Sequence, residues 1–306
     1  MLEKLRAGGK RALAEALVRI ETLPDDPMVA ELLDEANAAA VGFSLGVTGP
    51  PGVGKSTLLD ALIREWRASG RTVGVIAIDP SSSRTKGALL GDRTRLMTDP
   101  KDTGVFVRSM AARDMLGGVA EETLPAMVLM RAIYDVVIVE TVGVGQSETA
   151  VSSITDLTMF CAQPGSGDAL QYMKAGIMEV PDLIAVTKSD MGEIARRTVS
   201  DLKGSVSLTS EGREPGVLLC SAETGEGIAT LVQQISDAFA LNSSRFVVSR
   251  NAKLIRWSEN RLIARFGSFG VELVHRLCGS NPVRFSFRDG NERKLRLTDA
   301  LTEAFL

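Results

Sequence analysis

VGFSLGVTGPPGVGKSTLL, residues 41–59, decides the fold. An apolar run suited to a buried strand passes into a Gly/Pro loop, and the loop opens an amphipathic helix. Gly49, Gly52, Gly54, Lys55 and Ser56 sit in the spacing G-x-x-x-x-G-K-[ST], with Val53 inside the loop and Thr57 just after it. Glycines let backbone N–H groups curl around phosphate oxygens, and the helix N-terminus adds a favourable dipole. Lys55 is placed to reach the β- and γ-phosphates, and the Ser56 hydroxyl to ligate Mg²⁺.

Outward from this loop, short apolar runs alternate with longer amphipathic ones. Strands are predicted at 41–47, 72–79, 104–108, 135–140, 156–162, 182–187 and 216–220. Helices are predicted at 55–69, 119–132, 168–179, 191–203 and 226–240. Val/Ile/Leu-rich strands separated by helices indicate an α/β fold, with a mostly parallel sheet covered on both faces. Residues 41–240 are therefore read as one nucleotide-binding domain. Residues 1–40 form a helical N-terminal extension, with Leu13, Leu17 and Ile20 on one face. Residues 241–306 form a C-terminal extension, helical around Ile255, Leu262 and Ile263. There VRFSF and RKLRL flank Asp289-Gly290-Asn291, which predicts a β-hairpin over 283–297. A short helix, LTDALTEAFL, closes the sequence.

Composition narrows the function classes. The 306 residues carry a formal charge of −3, which gives no reason to expect nucleic acid. No apolar run approaches the roughly 18 residues that span a bilayer. The first residues mix acids with bases and read as neither a secretory nor a transit leader. The three cysteines, Cys161, Cys220 and Cys278, are far apart, as buried thiols of a reducing, cytoplasmic compartment are. One histidine, His275, leaves little material for a Cys/His metal site.

The remaining chemistry follows the phosphate loop in order. Glu140 ends the strand DVVIVE, and Gly143 follows in ETVG, the places of a Walker B carboxylate and a γ-phosphate-sensing glycine. Glu140 reaches Mg²⁺ directly, through a water, or orients the attacking water. Val144 stands where Ras-like proteins have glutamine, with Gln146 two residues on, so slow unassisted hydrolysis is expected. Asp79 and Asp92 flank a Ser/Gly/Thr-rich loop and are candidates for the Mg²⁺ shell, the loop acting as a switch. Arg84, Lys86, Arg93 and Arg95 make this region basic. Thr187-Lys188-Ser189-Asp190 follows a strand and fits [N/T]-K-x-D, in which the aspartate accepts from guanine N1 and its 2-amino group. Ser221-Ala222 matches the S-A element that contacts the guanine carbonyl.

These residues resemble one family, the MeaB/ArgK-type GTPases, which include the methylmalonic aciduria type A protein. The resemblance is carried by GVTGPPGVGKSTLLDAL, AIDPSSSRTKGALLGDRTRL, VIVETVGVGQSETAV and PGSGDALQYMKAGIMEVPDLIAVTKSD, and runs from about residue 30 to 240. It implies a GTP-hydrolysing chaperone that gates cofactor loading and protects an adenosylcobalamin-dependent acyl-CoA mutase. It also implies that Lys55, Ser56, Asp79, Asp92 and Glu140 serve nucleotide and Mg²⁺, and that Lys188 and Asp190 serve the base. Residues 165–176 match an extra switch facing the mutase, with Asp168, Gln171 and Lys174 as polar members. Lys174 is the cation expected to complete the catalytic site in the complex. The family usually has Asn at the place of Thr187, and often an acid at that of Ala169. Its C-terminal part is a dimerisation arm, so a homodimer is expected. Two other readings compete: a metal-insertion GTPase of the hydrogenase or urease maturation kind, and a kinase tied to amino-acid transport.

Overall fold

The structure, a computed structural model, describes residues 1–80, 96, 99, 101–112, 120–141, 147–165, 181–209, 215–279 and 284–305. The chain divides into two compact units. One gathers residues 42–120 and 134–243; the other gathers both ends of the chain, 1–41 and 244–306, with 121–133.

The first unit is built on a seven-stranded parallel sheet. Its strands are β1 (Phe43–Thr48), β2 (Val73–Pro80), β3 (Val105–Ala112), β4 (Val136–Glu140), β5 (Leu157–Ala162), β6 (Leu183–Val186) and β7 (Gly216–Leu219), in the order β3-β2-β4-β1-β5-β6-β7. All seven predicted strands form. The residues of β1, β5 and β6 are buried throughout, so β6 reads as a continuous apolar run and β5 as a mainly apolar one, while in β1 even Ser44 and Thr48, alternating with Phe43, Leu45 and Val47, are buried. Helices α3 (Lys55–Ala68), α5 (Ser147–Ser152), α6 (Glu193–Thr209) and α7 (Ile228–Leu241) accompany the sheet. Phe43 stacks on Phe239 of α7 at 4.7 Å and meets Trp66 of α3 edge-on at 6.5 Å, anchoring both helices to β1.

An aspartate precedes each of three strands and satisfies backbone donors at the start of the strand beside it. Asp135 accepts from Thr72 N (2.7 Å), Asp156 from Ser44 N (2.8 Å) and Asp182 from Thr158 N (2.7 Å). These carboxylates hold the strand starts in register. The carboxyl ends are left to the loops, and β1 lies where the strand order diverges to both sides. In open α/β sheets that is where ligands bind.

The second unit is helical. It contains α1 (Leu2–Thr22), α2 (Pro27–Ala38), α4 (Thr123–Arg131), α8 (Ser243–Cys278) and α9 (Phe287–Phe305). Asp26 caps α2 by accepting from Met28 N at 2.8 Å, and Pro27 at the first helical position needs no hydrogen bond. Gly9 (φ 62°) breaks α1, and Gly267 (φ 69°) breaks α8. Beyond the second break, Val274 packs with Leu262 and Leu297.

The expected β-hairpin over 283–297 does not form; most of that segment belongs to α9. Ser286 begins the helix: its Oγ accepts from Asp289 N at 3.4 Å, so S-F-R-D works as a helix start rather than a strand end. Asp34 of α2 then takes the free donors, accepting from Phe287 N (2.7 Å), Ser286 Oγ (2.8 Å) and Arg288 N (3.3 Å). Gly290 sits in the first turns, where a Cβ would come 3.4 Å from the Phe285 ring. Phe287, Leu297 and Leu301 recur with helical spacing on the packed side. Among the described residues no helix is long and apolar enough to cross a membrane.

Candidate functional site

The phosphate loop joins β1 to α3. Gly49 (φ 141°) lies against β5, where an added Cβ would stand 2.4 Å from the Cys161 carbonyl oxygen. Gly52 (φ 76°) and Gly54 (φ 94°) turn the chain, and Gly54 is the N-cap of α3. Lys55 is buried, and its Nζ donates to the carbonyls of Gly49 (2.7 Å) and Pro50 (2.9 Å), placing the ammonium inside the curl. A cradle that excludes side chains, with a cation in it and a helix N-terminus behind it, fits a polyphosphate.

Ser56, one residue on, donates from Oγ to Glu140 Oε1 at 3.0 Å. The pair joins the first turn of α3 to the end of β4, 84 positions apart. Register explains the approach: Glu140 lies opposite Val47 on β1 and opposite Ala77 on β2. Asp79 is on β2 two residues past Ala77, at the same end of the sheet. Beneath them, Thr141 Oγ1 donates to Thr48 Oγ1 at 2.9 Å. A hydroxyl and a carboxylate are the hard oxygen donors that Mg²⁺ takes, with substrate phosphates and water completing its shell.

The Thr187–Asp190 turn, the expected base element, follows β6. Thr187 is buried and its Oγ1 donates to Val53 O at 2.8 Å, with Ala162 O at 3.2 Å. Lys188 is the one non-glycine at positive φ among the described residues (57°). Its Nζ donates to Gly52 O (3.3 Å) and to Gln163 Oε1 (3.2 Å), so its aliphatic stem runs beside the phosphate loop. Asp190 accepts from Ser221 Oγ at 2.7 Å, and Ser189 N donates to Cys220 O at 3.0 Å. Ala222 follows Ser221, half-buried. Thus Gly49, Gly52, Val53, Gly54, Lys55, Ser56, Thr57, Glu140, Lys188, Asp190, Ser221 and Ala222 lie at one end of the sheet, on its loops, on the first turn of α3 and at the last residue of β4. Asp92, Gly143, Lys174, Val144, Gln146 and the segment 166–176 lie outside the described residues.

Two residues of this end were not anticipated. Gln163 follows β5 and holds Lys188; the rule that ligands gather at carboxyl ends of strands would have pointed to it. Glu226 lies in the turn before α7, where Oε2 accepts from Ser189 Oγ at 2.6 Å. Burial pushes the thiol of Cys161 well above its ordinary value and that of Cys220 up to about 12, so both remain protonated packing groups at neutral pH.

A parallel sheet with this loop and a downstream Thr-Lys-Ser-Asp turn defines a P-loop GTPase. More narrowly, the chain belongs to the MeaB family: the model for the methylmalonyl-CoA mutase-associated GTPase MeaB matches residues 13–265. A putative GTPase of Pyrococcus horikoshii is 39% identical over 264 residues, covering 83% of this chain and 82% of that protein. The mitochondrial methylmalonic aciduria type A homolog of Mus musculus is 40% identical over 195 residues, covering 62% of this chain and 47% of that protein. Among solved structures, a LAO/AO transport system kinase is similar with a TM-score of 0.67 and 29% identity, over 98% of this chain and 96% of its own.

Proposed function

We propose that this GTPase is the nucleotide-driven chaperone of an adenosylcobalamin-dependent acyl-CoA mutase, such as methylmalonyl-CoA mutase, gating cofactor loading and protecting the loaded enzyme. The observation that carries the reading is the match of residues 13–265 to a family described by its association with methylmalonyl-CoA mutase. The mouse relative's name points the same way.

In this reading the backbone N–H groups of Gly52–Thr57 cradle the phosphates, and the Lys55 ammonium leaves the loop carbonyls for the β- and γ-phosphate oxygens. Ser56 and Glu140 hold Mg²⁺, with Asp79 and Asp92 as further members of its shell. Bound there, Mg²⁺ would neutralise phosphate charge that builds up during hydrolysis. Asp190 accepts from guanine N1–H and the 2-amino group, Lys188 lies along the base, and Ser221 and Ala222 face the guanine carbonyl. Hydrolysis asks little covalent work of the protein, so catalysis is positioning and charge stabilisation. Gly143 reports the γ-phosphate, and Lys174 completes the site when the mutase is bound. The working form is a cytoplasmic homodimer.

The test is a pull-down from the protein's own cell extract with a non-hydrolysable GTP analogue, followed by phosphate release with the captured mutase added. Capture of a cobalamin mutase and faster release are expected; a mutase that neither binds nor stimulates overturns the proposal. The structural relative's name favours a second reading, phosphoryl transfer to a transport protein. Labelled γ-phosphate appearing on such a protein would select it.

A further inference from the structure

Two turns meet where the purine is expected, one after β6 and one after β7, and most of the bonds between them pass through Ser189 and Ser221. Ser221 Oγ donates across to Asp190, while Ser221 N donates within its own turn to the main-chain oxygen of Glu226 at 2.9 Å. Ser189 N donates to Cys220 O, and Ser189 Oγ to the side chain of Glu226. Both serines are buried, at 6% and 1% exposure, while the Glu226 and Asp190 carboxylates that accept from their hydroxyls reach the surface. Glu226 thus closes its own turn through its main chain and reaches the 188–190 turn through its carboxylate.

Its own position is fixed. Gly227 (φ 74°) comes next, where a Cβ would lie 2.2 Å from Leu219 O, so the chain after Glu226 is pressed onto β7. Thr224 Oγ1 accepts from Glu226 N at 3.3 Å. The turn it grips needs a brace. Lys188 is left-handed (φ 57°, ψ 49°), a conformation a lysine keeps only when its surroundings over-determine it. From the phosphate side it is held by Thr187 to Val53 and by Lys188 to Gly52 and Gln163. From the other side Ser189 Oγ is held by Glu226 alone among the hydrogen bonds of the described residues.

We propose that Glu226 is a specificity-positioning residue: through Ser189 it locks the 188–190 turn so that the Asp190 carboxylate faces the purine's N1 and C2 substituents. It need not touch the nucleotide. The inference rests on the assignment of Asp190 to guanine and names what makes that carboxylate selective.

Discrimination against a base lacking the 2-amino group reads this directly. GDP and IDP affinities are measured by calorimetry on the full chain with Mg²⁺, for wild type, Glu226→Ala, Ser189→Ala and the double variant, with Glu226→Gln as the conservative change. Glu226→Ala is expected to weaken GDP by about tenfold and IDP far less, collapsing the preference. Ser189→Ala should do the same, and the double variant should add nothing, since both break one link. Glu226→Gln, which still offers an acceptor oxygen, should retain most of the preference. Equal losses for GDP and IDP, or additive losses from the two sites, would make Glu226 an ordinary structural residue and overturn the proposal. A wild type indifferent to the 2-amino group would sink the Asp190 assignment itself. A selective wild type whose selectivity survives both single changes would sink only the Glu226 role.

Discussion

The hydroxyl of Thr187 donates to the carbonyl of Val53 at 2.8 Å, tying the base turn to the middle of the phosphate loop across 134 positions of chain. Threonine thereby makes a link from a shorter side chain than the asparagine expected from the family resemblance. A β-branched residue also suits its place just after β6, because its χ1 is restricted. The phosphate loop and the turn after β6 are therefore one bonded assembly rather than neighbouring loops.

Replacing Thr187 by valine keeps the volume and removes the donor. Val53 O loses this partner, at a cost of about 1–3 kcal/mol. GDP affinity measured with a fluorescent analogue is expected to fall about tenfold, with little change in thermal stability beyond that cost. Unaltered affinity would mean that the link does not organise the loop.

Gly49 tolerates no side chain. At φ 141°, with a Cβ 2.4 Å from a backbone oxygen of β5, Gly49→Ala must move the loop or the strand. Destabilisation on the order of 2–4 kcal/mol is expected by chemical denaturation, together with loss of nucleotide uptake.

Glu140→Ala and Ser56→Ala each remove one partner of the 3.0 Å pair. Each is expected to slow GTP hydrolysis on the order of a hundredfold and to blunt its response to added Mg²⁺. The two losses should not add, because the residues act on one point. Phosphate release over a Mg²⁺ series checks both statements.

The sheet was legible because its signal is redundant. The buried strands are short and mainly apolar, β4 and β6 almost wholly Val, Ile, Leu and Ala, and an aspartate precedes three of the seven. The phosphate loop was legible because few residue types permit its backbone. Less of the base end could be read. Thr187, Gln163 and Glu226 act through bonds to residues far off in sequence, and no local spacing marks such partners. The hairpin expectation at 283–297 failed for the same reason: Asp34, some 250 positions upstream, supplies the acceptors that let a Gly-containing segment start a helix.

The helical unit offers a pH prediction. Asp25 is partly buried, which alone would raise its pKa, but Lys294 at 2.5 Å and Arg261 at 3.0 Å outweigh burial and hold it below the usual carboxylate range. A carboxylate with a lowered folded pKa contributes stability that is present above its unfolded pKa and lost as pH falls through the folded one. Denaturation midpoints of wild type and Asp25→Asn are therefore expected to differ at neutral pH, to begin to close as the pH falls below about 4, and to converge once it has fallen through the lowered folded value.

The account depends most on the carboxylate of Asp190 choosing the purine while the loop around Lys55 holds the phosphates. Xanthine presents a carbonyl at C2 where guanine presents an amino group, so Asp190→Asn exchanges an acceptor for a donor at that edge. Steady-state hydrolysis of GTP and XTP by wild type and by Asp190→Asn tests this most directly. Wild type should prefer GTP and the variant should prefer XTP; an unchanged preference for GTP in the folded variant would contradict the account.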